Sequence, residues 1–156
     1  KLEEKEIDID IDFLNNTIYF ARLATMAQGL LFIEHISAFE NLDIDLKEVL
    51  QNWSAGCIIR SDLLKELGDL NFSNTVTSSE FVQNTLLENL ESIKKVIKTC
   101  VDGGVSIPVI TSSYNWFVGT TNSFNPSSLI QAQRDYFGAH QVQLNNSDEF
   151  IHLDWD

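Results

Sequence analysis

The sequence predicts an all-α domain of several helices that ends in an extended C-terminal tail. Most of its apolar residues recur at three- and four-residue steps, which is the spacing of a buried helix face. Alternation with period two, which is typical of a strand, is confined to residues 6–11 and to short stretches of the tail. We therefore expect an acidic lead-in over residues 1–12, a helical domain over residues 13–138 and the tail over residues 139–156.

The first half of the chain predicts three helices. A helix from Phe13 to about Phe39 would bury a face that consists of Leu14, Ile18, Ala21, Thr25, Gly29, Phe32, Ile33 and Ile36. Within it, Gly29 indicates a place where another helix approaches closely. Asp45, with Glu48 three residues later, is a fair N-cap for a helix over residues 46–53. The apolar pattern then predicts a helix from Ile58 to Leu70.

The second half predicts three more helices separated by polar loops. After a loop over residues 71–79, a helix should run from about Glu80 to Cys100 and end at Gly103-Gly104, because glycine tolerates positive φ. Pro108 suits the first turn of the next helix. After a second loop over residues 119–125, a helix over residues 129–137 should stop at Gly138.

The tail carries aromatic residues but is too short to form a core of its own. Phe150 and Trp155 must therefore pack onto something else. Trp53, Trp116 and Trp155 are expected to be core or interface anchors rather than stacking platforms for a ligand.

The chain is strongly acidic, with 10 lysines and arginines against 23 aspartates and glutamates and a formal net charge of −13. This charge repels nucleic acids and anionic lipids, and no basic stripe is present to overcome it. The apolar stretch Leu30–Ile33 is followed by Glu34 and is far shorter than the roughly 18 residues of a membrane span. We expect no nucleic-acid partner and no membrane insertion, and we expect a few cations to hold any small anionic ligand.

The cysteines and histidines show no metal-binding pattern. Cys57 and Cys100 are the only cysteines, which suits a reducing compartment and favours a cytoplasmic location. His35, His140 and His152 lack the spacing of metal ligands, so we expect no metal site.

A first candidate cluster is Gly56–Ser61, where a turn of small residues would lead into a helix with Arg60 in its first turn. Exposed N–H groups and a guanidinium there would suit a phosphate or a carboxylate. Alternatively, Arg60 forms an ion pair with Asp62, with Glu66 or with another of the 23 acidic residues. Cys57 has no obvious base nearby and is expected to be a small core residue rather than a nucleophile.

A second candidate cluster is Gln131–His140, in which Arg134 and His140 bracket a helix end. Gly138 would let the backbone turn so that both side chains converge on one anion. Alternatively, Arg134 bonds to Asp135 or to helix carbonyls, and His140 caps the helix. Spacing alone leaves both interpretations open. The common motifs for nucleotide binding, serine nucleophiles and zinc proteases, namely GxGxxG, GxxxxGK[ST], GxSxG and HExxH, are absent from the sequence.

These two clusters, with three further segments, closely resemble the C-terminal domain of the decarboxylating 6-phosphogluconate dehydrogenases. The resemblance spans about Asp12 to Trp155 in the family's order. Its strings are Tyr19-Phe-Ala-Arg with Ala27-Gln-Gly29, Gly56-Cys-Ile-Ile-Arg-Ser61, Gly104-Val-Ser-Ile-Pro108, Leu129-Ile-Gln-Ala-Gln-Arg-Asp-Tyr-Phe-Gly-Ala-His140 and Phe150-Ile-His-Leu-Asp-Trp155.

The resemblance implies an enzyme that oxidises 6-phosphogluconate with NADP and decarboxylates the product to ribulose 5-phosphate. It implies that Arg60 binds the substrate phosphate, and that Arg134 and His140 reach the substrate from the neighbouring subunit of a homodimer whose tails are exchanged. The family's NADP-binding domain, catalytic lysine and catalytic glutamate would precede Lys1. We therefore expect the chain to be part of a longer protein, to contain no catalytic residue and to be inactive alone.

Two departures from the family's pattern bear on the substrate. The family usually has Trp-Arg-Gly where this chain has Trp53-Ser54-Ala55, and it tends to carry an arginine and Leu-Pro-Ala-Asn where this chain reads Thr121–Ser128. Fewer cations near a phosphate pocket would weaken substrate affinity. The alternatives are a relative that acts on another hydroxy acid and, from a different class, a non-catalytic helical module that binds a protein partner.

Overall fold

The computed structural model describes residues 6–70, 75–145 and 147–155, and these form two compact units that divide after Phe117. Unit 1 is the part up to Phe117, and unit 2 is the part from Val118 onward. The described residues are mainly helical, which confirms the all-α prediction. None of their helices has the length and apolar character needed to cross a membrane.

The helices are α1 (Ile11–Phe39), α2 (Leu46–Gly56), α3 (Asp62–Asp69), α4 (Glu80–Glu88), α5 (Leu90–Asp102), α6 (Pro108–Thr121) and α7 (Ser127–Gly138). A short 3₁₀ turn spans Val76–Ser78, and the strands are β1 (Val142–Gln143) and β2 (Phe150–Ile151). In unit 1, α1 packs against α2, α4, α5 and the 3₁₀ turn, so the long helix is the centre of the core.

The buried face of α1 differs from the predicted one. The fully buried apolar residues are Phe20, Leu23, Ala24, Ala27 and Leu30, whereas Ile18, Phe32 and Ile36 are exposed. Apolar residues occur around most of the circumference of this helix, so periodicity alone could not choose between two faces. The predicted helix contact at Gly29 is also wrong for the described residues, because none of them lies within 4 Å of a Cβ placed there.

α2 and α3 differ in their boundaries from the predicted helices: α2 ends at Gly56 and not at residue 53, and α3 starts later than predicted. α2 begins after Asp45, whose carboxylate accepts the Lys47 N–H at 2.7 Å, and this confirms the predicted N-cap. The helix predicted from Ile58 begins only at Asp62, because residues 57–60 form a turn closed by the Arg60 N–H on the Cys57 carbonyl at 3.1 Å. Ile58 is 99% exposed, so no buried face extends the helix in that direction.

The helix predicted over residues 80–100 is divided at Asn89 into α4 and α5. The Asn89 side-chain amide donates to the Thr85 carbonyl at 2.8 Å, which is a local bond that competes with helix continuation. Its predicted end is confirmed, since α5 stops at Asp102 and Gly104 has φ of 72°. The first part of the predicted loop over residues 71–79 lies outside the described residues, and its last part contains the 3₁₀ turn.

The lead-in contains no strand among the residues described, and Ile7 and Ile9 are half-buried in it, whereas Ile11 is 65% exposed. Ile7 lies directly against Gly103, where a Cβ would overlap the Ile7 methyl group. The start of α6 at Pro108 is confirmed, but α6 runs to Thr121 and so takes up the beginning of the predicted second loop.

In unit 2, the tail contains two short strands. β1 and β2 pair antiparallel with Val142 opposite Ile151, and β1 lies beside α7. The predicted boundary of a helical domain at residue 138 stays a prediction.

Candidate functional site

A groove of about 490 Å³ lies on unit 1. Its walls are the exposed stripe of α1, the turn before α3 and the start of α6, and the lining residues are Ile18, Ala21, Arg22, Thr25, Met26, Ile58, Ile59, Arg60, Val109 and Ile110. The volume is in the range of small-molecule sites. In a chain of net charge −13, this lining contains two arginines and no carboxylate.

Arg60 lines the groove from the turn that precedes α3, not from the first turn of a helix as predicted. The alternative ion pairs are absent, because Arg60 takes part in none of the ion pairs among the described residues. The Asp62 carboxylate binds Lys65 at 2.8 Å, and the Glu66 carboxylate accepts from the Tyr19 hydroxyl at 2.8 Å. Lys65, and to a smaller extent Arg60, lower the pKa of Asp62.

Arg22 also lines the groove, and the sequence reasoning did not select it as a site residue. A signal was present, because Arg22 is the only charged residue between Asp12 and Glu34. Its charge acts on the nearby Tyr19 phenol, whose pKa is nevertheless raised to about 12 by burial and by the hydrogen bond to Glu66. At neutral pH the phenol therefore stays protonated and keeps the Glu66 carboxylate occupied.

In unit 2, the carboxylate of Asp135 lies fully buried on α7 and is surrounded by donors from the tail. Oδ1 accepts from the Gln141 N–H at 2.7 Å and from His152 Nδ1 at 2.9 Å. Oδ2 accepts from the Leu153 N–H at 2.9 Å and from Trp155 Nε1 at 3.1 Å. We call this arrangement the Asp135 cluster.

Burial raises the pKa of Asp135, but the hydrogen bonds from His152, Leu153, Trp155 and Gln141 outweigh it and hold the pKa well below its ordinary value. The carboxylate is therefore ionised throughout the physiological range. The sequence indicated Asp135 only as a partner of Arg134, because the four donors to its carboxylate lie 6 to 20 residues away along the chain.

Arg134 and His140 are both exposed on unit 2. The alternative contact of Arg134 with Asp135 is not formed, since Arg134 Nη1 donates to Gln131 Oε1 at 3.2 Å. The Gln131 side-chain amide also donates to the Gln141 carbonyl at 2.5 Å. Gln131 thus connects Arg134 with the residue that follows His140.

The backbone turn after α7 is not made at Gly138, as predicted, but at Ala139 and Gln141, which have φ of 49° and 65°. Gly138 has a steric role instead. A Cβ at this position would lie 2.8 Å from Cδ2 and Nε2 of His140, so the imidazole rests against the glycine. The absence of a side chain at Gly138 therefore decides where the His140 ring can lie.

Of the other residues considered, Trp155 is an anchor, as expected: it donates to Asp135 and packs edge-to-face on Tyr136 with ring centroids 5.5 Å apart. Cys57 is half-buried and Cys100 is buried, and both are free thiols. In the part of the chain that the structure describes, no three His, Cys, Asp or Glu side chains are grouped as metal ligands.

Comparisons with known proteins agree with the resemblance in sequence. The profile of the family "6-phosphogluconate dehydrogenase, C-terminal domain" matches residues 1–155. The decarboxylating 6-phosphogluconate dehydrogenase of Lactococcus lactis subsp. lactis is 30% identical over 98% of this chain and 33% of its own length. The enzymes of Synechococcus elongatus and Spinacia oleracea are 29% and 32% identical over 93% of this chain.

The chain spans about a third of the length of these curated relatives. The match to the family profile is continuous and covers nearly every residue. The chain therefore belongs to the family of 6-phosphogluconate dehydrogenase C-terminal domains.

Proposed function

We propose that the chain is the substrate-binding and dimerisation part of a longer 6-phosphogluconate dehydrogenase. The whole protein would oxidise 6-phosphogluconate with NADP and decarboxylate the product to ribulose 5-phosphate in the cytoplasm. The observation that carries this proposal is the family match over residues 1–155, together with the activity that the relatives' names state.

The groove on unit 1 is proposed to receive the phosphate of the substrate through Arg60. Two features support this role. Arg60 takes part in none of the ion pairs among the described residues, so its donors are available to a ligand. The lining also contains a second guanidinium, that of Arg22, and no acidic residue that would repel an anion.

Arg134 and His140 are proposed to bind the same substrate from the neighbouring subunit of a homodimer with exchanged tails. Their side chains are exposed and lie on the unit that carries the tail. Several large apolar side chains of this unit are exposed as well, namely Phe124, Leu129, Tyr136, Phe137 and Phe150. The partner subunit of such a homodimer would remove these apolar side chains from water.

NADP is proposed to bind mainly outside this chain, because the sequence has no glycine-rich GxGxxG turn to hold a dinucleotide. The cofactor would accept the hydride from the substrate. The residues of this chain would bind and orient the substrate, and the acid and base of the reaction would come from the rest of the longer protein.

The test is the rate of NADP reduction by the longer protein with 6-phosphogluconate. Removing a guanidinium that binds an ionised group costs about 1.5–3 kcal/mol, so Arg60→Ala or Arg134→Ala should raise KM by about 10- to 150-fold. His140→Ala should raise it in the same direction. Lys98→Ala is the matched control, since Lys98 is exposed on α5 and its loss changes the charge equally.

Three results would contradict the proposal. They are absence of turnover by the longer protein, a KM in all three variants equal to that of Lys98→Ala, and turnover by the isolated 156-residue chain. Activity with a different phosphorylated or carboxylated sugar would favour the relative acting on another hydroxy acid. No NADP reduction with any such substrate would favour the protein-binding module. A molecular mass in solution equal to one subunit would rule out the homodimer.

A further inference from the structure

We propose that Asp135 is the positioning residue that fixes Arg134 and His140 in the geometry in which they bind substrate. The substrate part of this inference rests on the proposed function. Asp135 itself is buried and touches no ligand, so it would act through the backbone on either side of it.

The Asp135 cluster uses the whole hydrogen-bonding capacity of a carboxylate for one purpose. Each oxygen accepts one backbone N–H and one ring N–H, and every donor comes from the segment between Gln141 and Trp155. The cluster therefore connects the last turn of α7, through one carboxylate, to the residues on both sides of the paired strands β1 and β2.

The same contacts determine the backbone around His140. Ala139 and Gln141 have positive φ, a conformation that non-glycine residues keep only when their surroundings hold them. The N–H of Gln141 donates to Asp135, and its carbonyl accepts from Gln131. Both polar backbone groups of the residue after His140 are thus bound to α7, and the Ala139 N–H bonds to the Asp135 carbonyl at 2.9 Å.

A buried carboxylate is a poor choice for stability alone, because removing an ionised group from water is costly unless several donors replace the water. Here Lys and Arg side chains supply none of the donors. An asparagine would keep the shape but would present an NH₂ group to at least one backbone N–H donor, whichever way the amide is turned. The geometry therefore requires a carboxylate. Only a group with two accepting oxygens can hold α7, Gln141 and residues 152–155 in one arrangement.

The experiment compares Asp135→Asn with Asp148→Asn in the longer protein. Asp148 is exposed in the same unit, so the control makes the same change in charge. We expect Asp135→Asn to raise KM for 6-phosphogluconate by at least about tenfold while KM for NADP stays within about twofold of the control. A variant that is merely less stable would lose kcat without this separation of the two KM values.

Trypsin provides a structural readout, because Arg134 is the last lysine or arginine of the chain and the bond after it lies inside α7. Cleavage there requires the end of the helix to open. Asp135 is itself the residue after the scissile bond, so the comparison uses Trp155→Phe, which removes one of the four donors and keeps the carboxylate. We expect cleavage after Arg134 to be faster in Trp155→Phe than in Asp148→Asn, and KM for 6-phosphogluconate to shift in the same direction as in Asp135→Asn by a smaller factor.

Equal KM values for 6-phosphogluconate in Asp135→Asn and Asp148→Asn would overturn the inference. If Asp135→Asn does not fold, an unchanged KM in Trp155→Phe would overturn it. If the unaltered longer protein does not oxidise 6-phosphogluconate, the proposed function fails separately. The inference is then decided by hydrogen exchange of the Gln141 and Leu153 amides: faster exchange in Asp135→Asn than in Asp148→Asn supports it, and equal exchange overturns it.

Discussion

Replacing Gly138 by alanine should separate the stability of α7 from the position of His140. Gly138 is the last residue of the helix and does not have a positive φ, so the backbone accepts an alanine. Alanine in a helix is favoured over glycine by up to about 0.5–1 kcal/mol. The free energy of unfolding should therefore stay unchanged or rise slightly.

The new Cβ would lie 2.8 Å from the His140 imidazole, which is 0.6 Å closer than the 3.4 Å at which ordinary van der Waals contact begins. The ring is exposed and can move away, so the collision is relieved by displacing it. Because a misplacement of about 1 Å in a binding group can cost about 100-fold, we expect KM for 6-phosphogluconate to rise about tenfold.

The assay combines urea unfolding of the 156-residue chain with steady-state kinetics of the longer protein. Gly68→Ala is the matched control, since Gly68 lies inside α3 and no atom of the described part of the chain is within 4 Å of a Cβ there. It should add about 0.5–1 kcal/mol to the free energy of unfolding and leave KM unchanged. A KM in Gly138→Ala equal to that of Gly68→Ala would refute the reasoning that the His140 ring, held against Gly138, binds substrate.

Two further predictions concern stability. Phe20 is fully buried and packs edge-to-face on Phe117, so Phe20→Ala should lower the free energy of unfolding in urea by about 3–5 kcal/mol. Phe39→Ala, on the exposed end of α1, is the control and should change it by less than about 0.5 kcal/mol. Burial raises the pKa of Asp135 and its hydrogen bonds lower it more, so its carboxylate contributes stability above its ordinary pKa of 3.8 and loses it as pH falls. The difference in Tm between the unaltered chain and Asp135→Asn should therefore narrow from pH 7 to pH 3, and a constant or widening difference would contradict the assignment.

The starts and stops of the helices followed from local chemistry. Asp45 caps α2 because its carboxylate accepts a backbone N–H of the first turn. Pro108 starts α6 because its φ is fixed near the helical value, and Gly103-Gly104 ends α5 because glycine tolerates positive φ. Each effect acts within a few residues. Local rules failed where a competing bond intervened, as at Asn89. They also failed at Ile58 and Ile59, whose apolar character extended the helical pattern although neither residue is buried.

The choice between the two faces of α1 required the tertiary structure. Ala24 and Ala27 let neighbouring elements approach the helix, while the larger Ile18 and Phe32 face outward. The spacing of apolar residues shows that a helix has an apolar face. It does not show which of two such faces packs against neighbouring elements of complementary shape.

The sequence by itself determined the helical class and the caps, because each depends on residue type and short spacing. The family, and with it the choice of Arg60, Arg134 and His140 as candidates, depended on the resemblance of long strings in a fixed order along the chain. Only the tertiary structure revealed Arg22 in the groove beside Arg60, the His140 ring against Gly138 and the Asp135 cluster. The donors to Asp135 are backbone and ring N–H groups as far as 20 residues away. Nearly every residue has a backbone N–H, so residue types do not show which of these groups donates to Asp135. The hydrogen-bond donors of a buried carboxylate depend on where the backbone runs, so the role of Asp135 follows from the folded position of the tail.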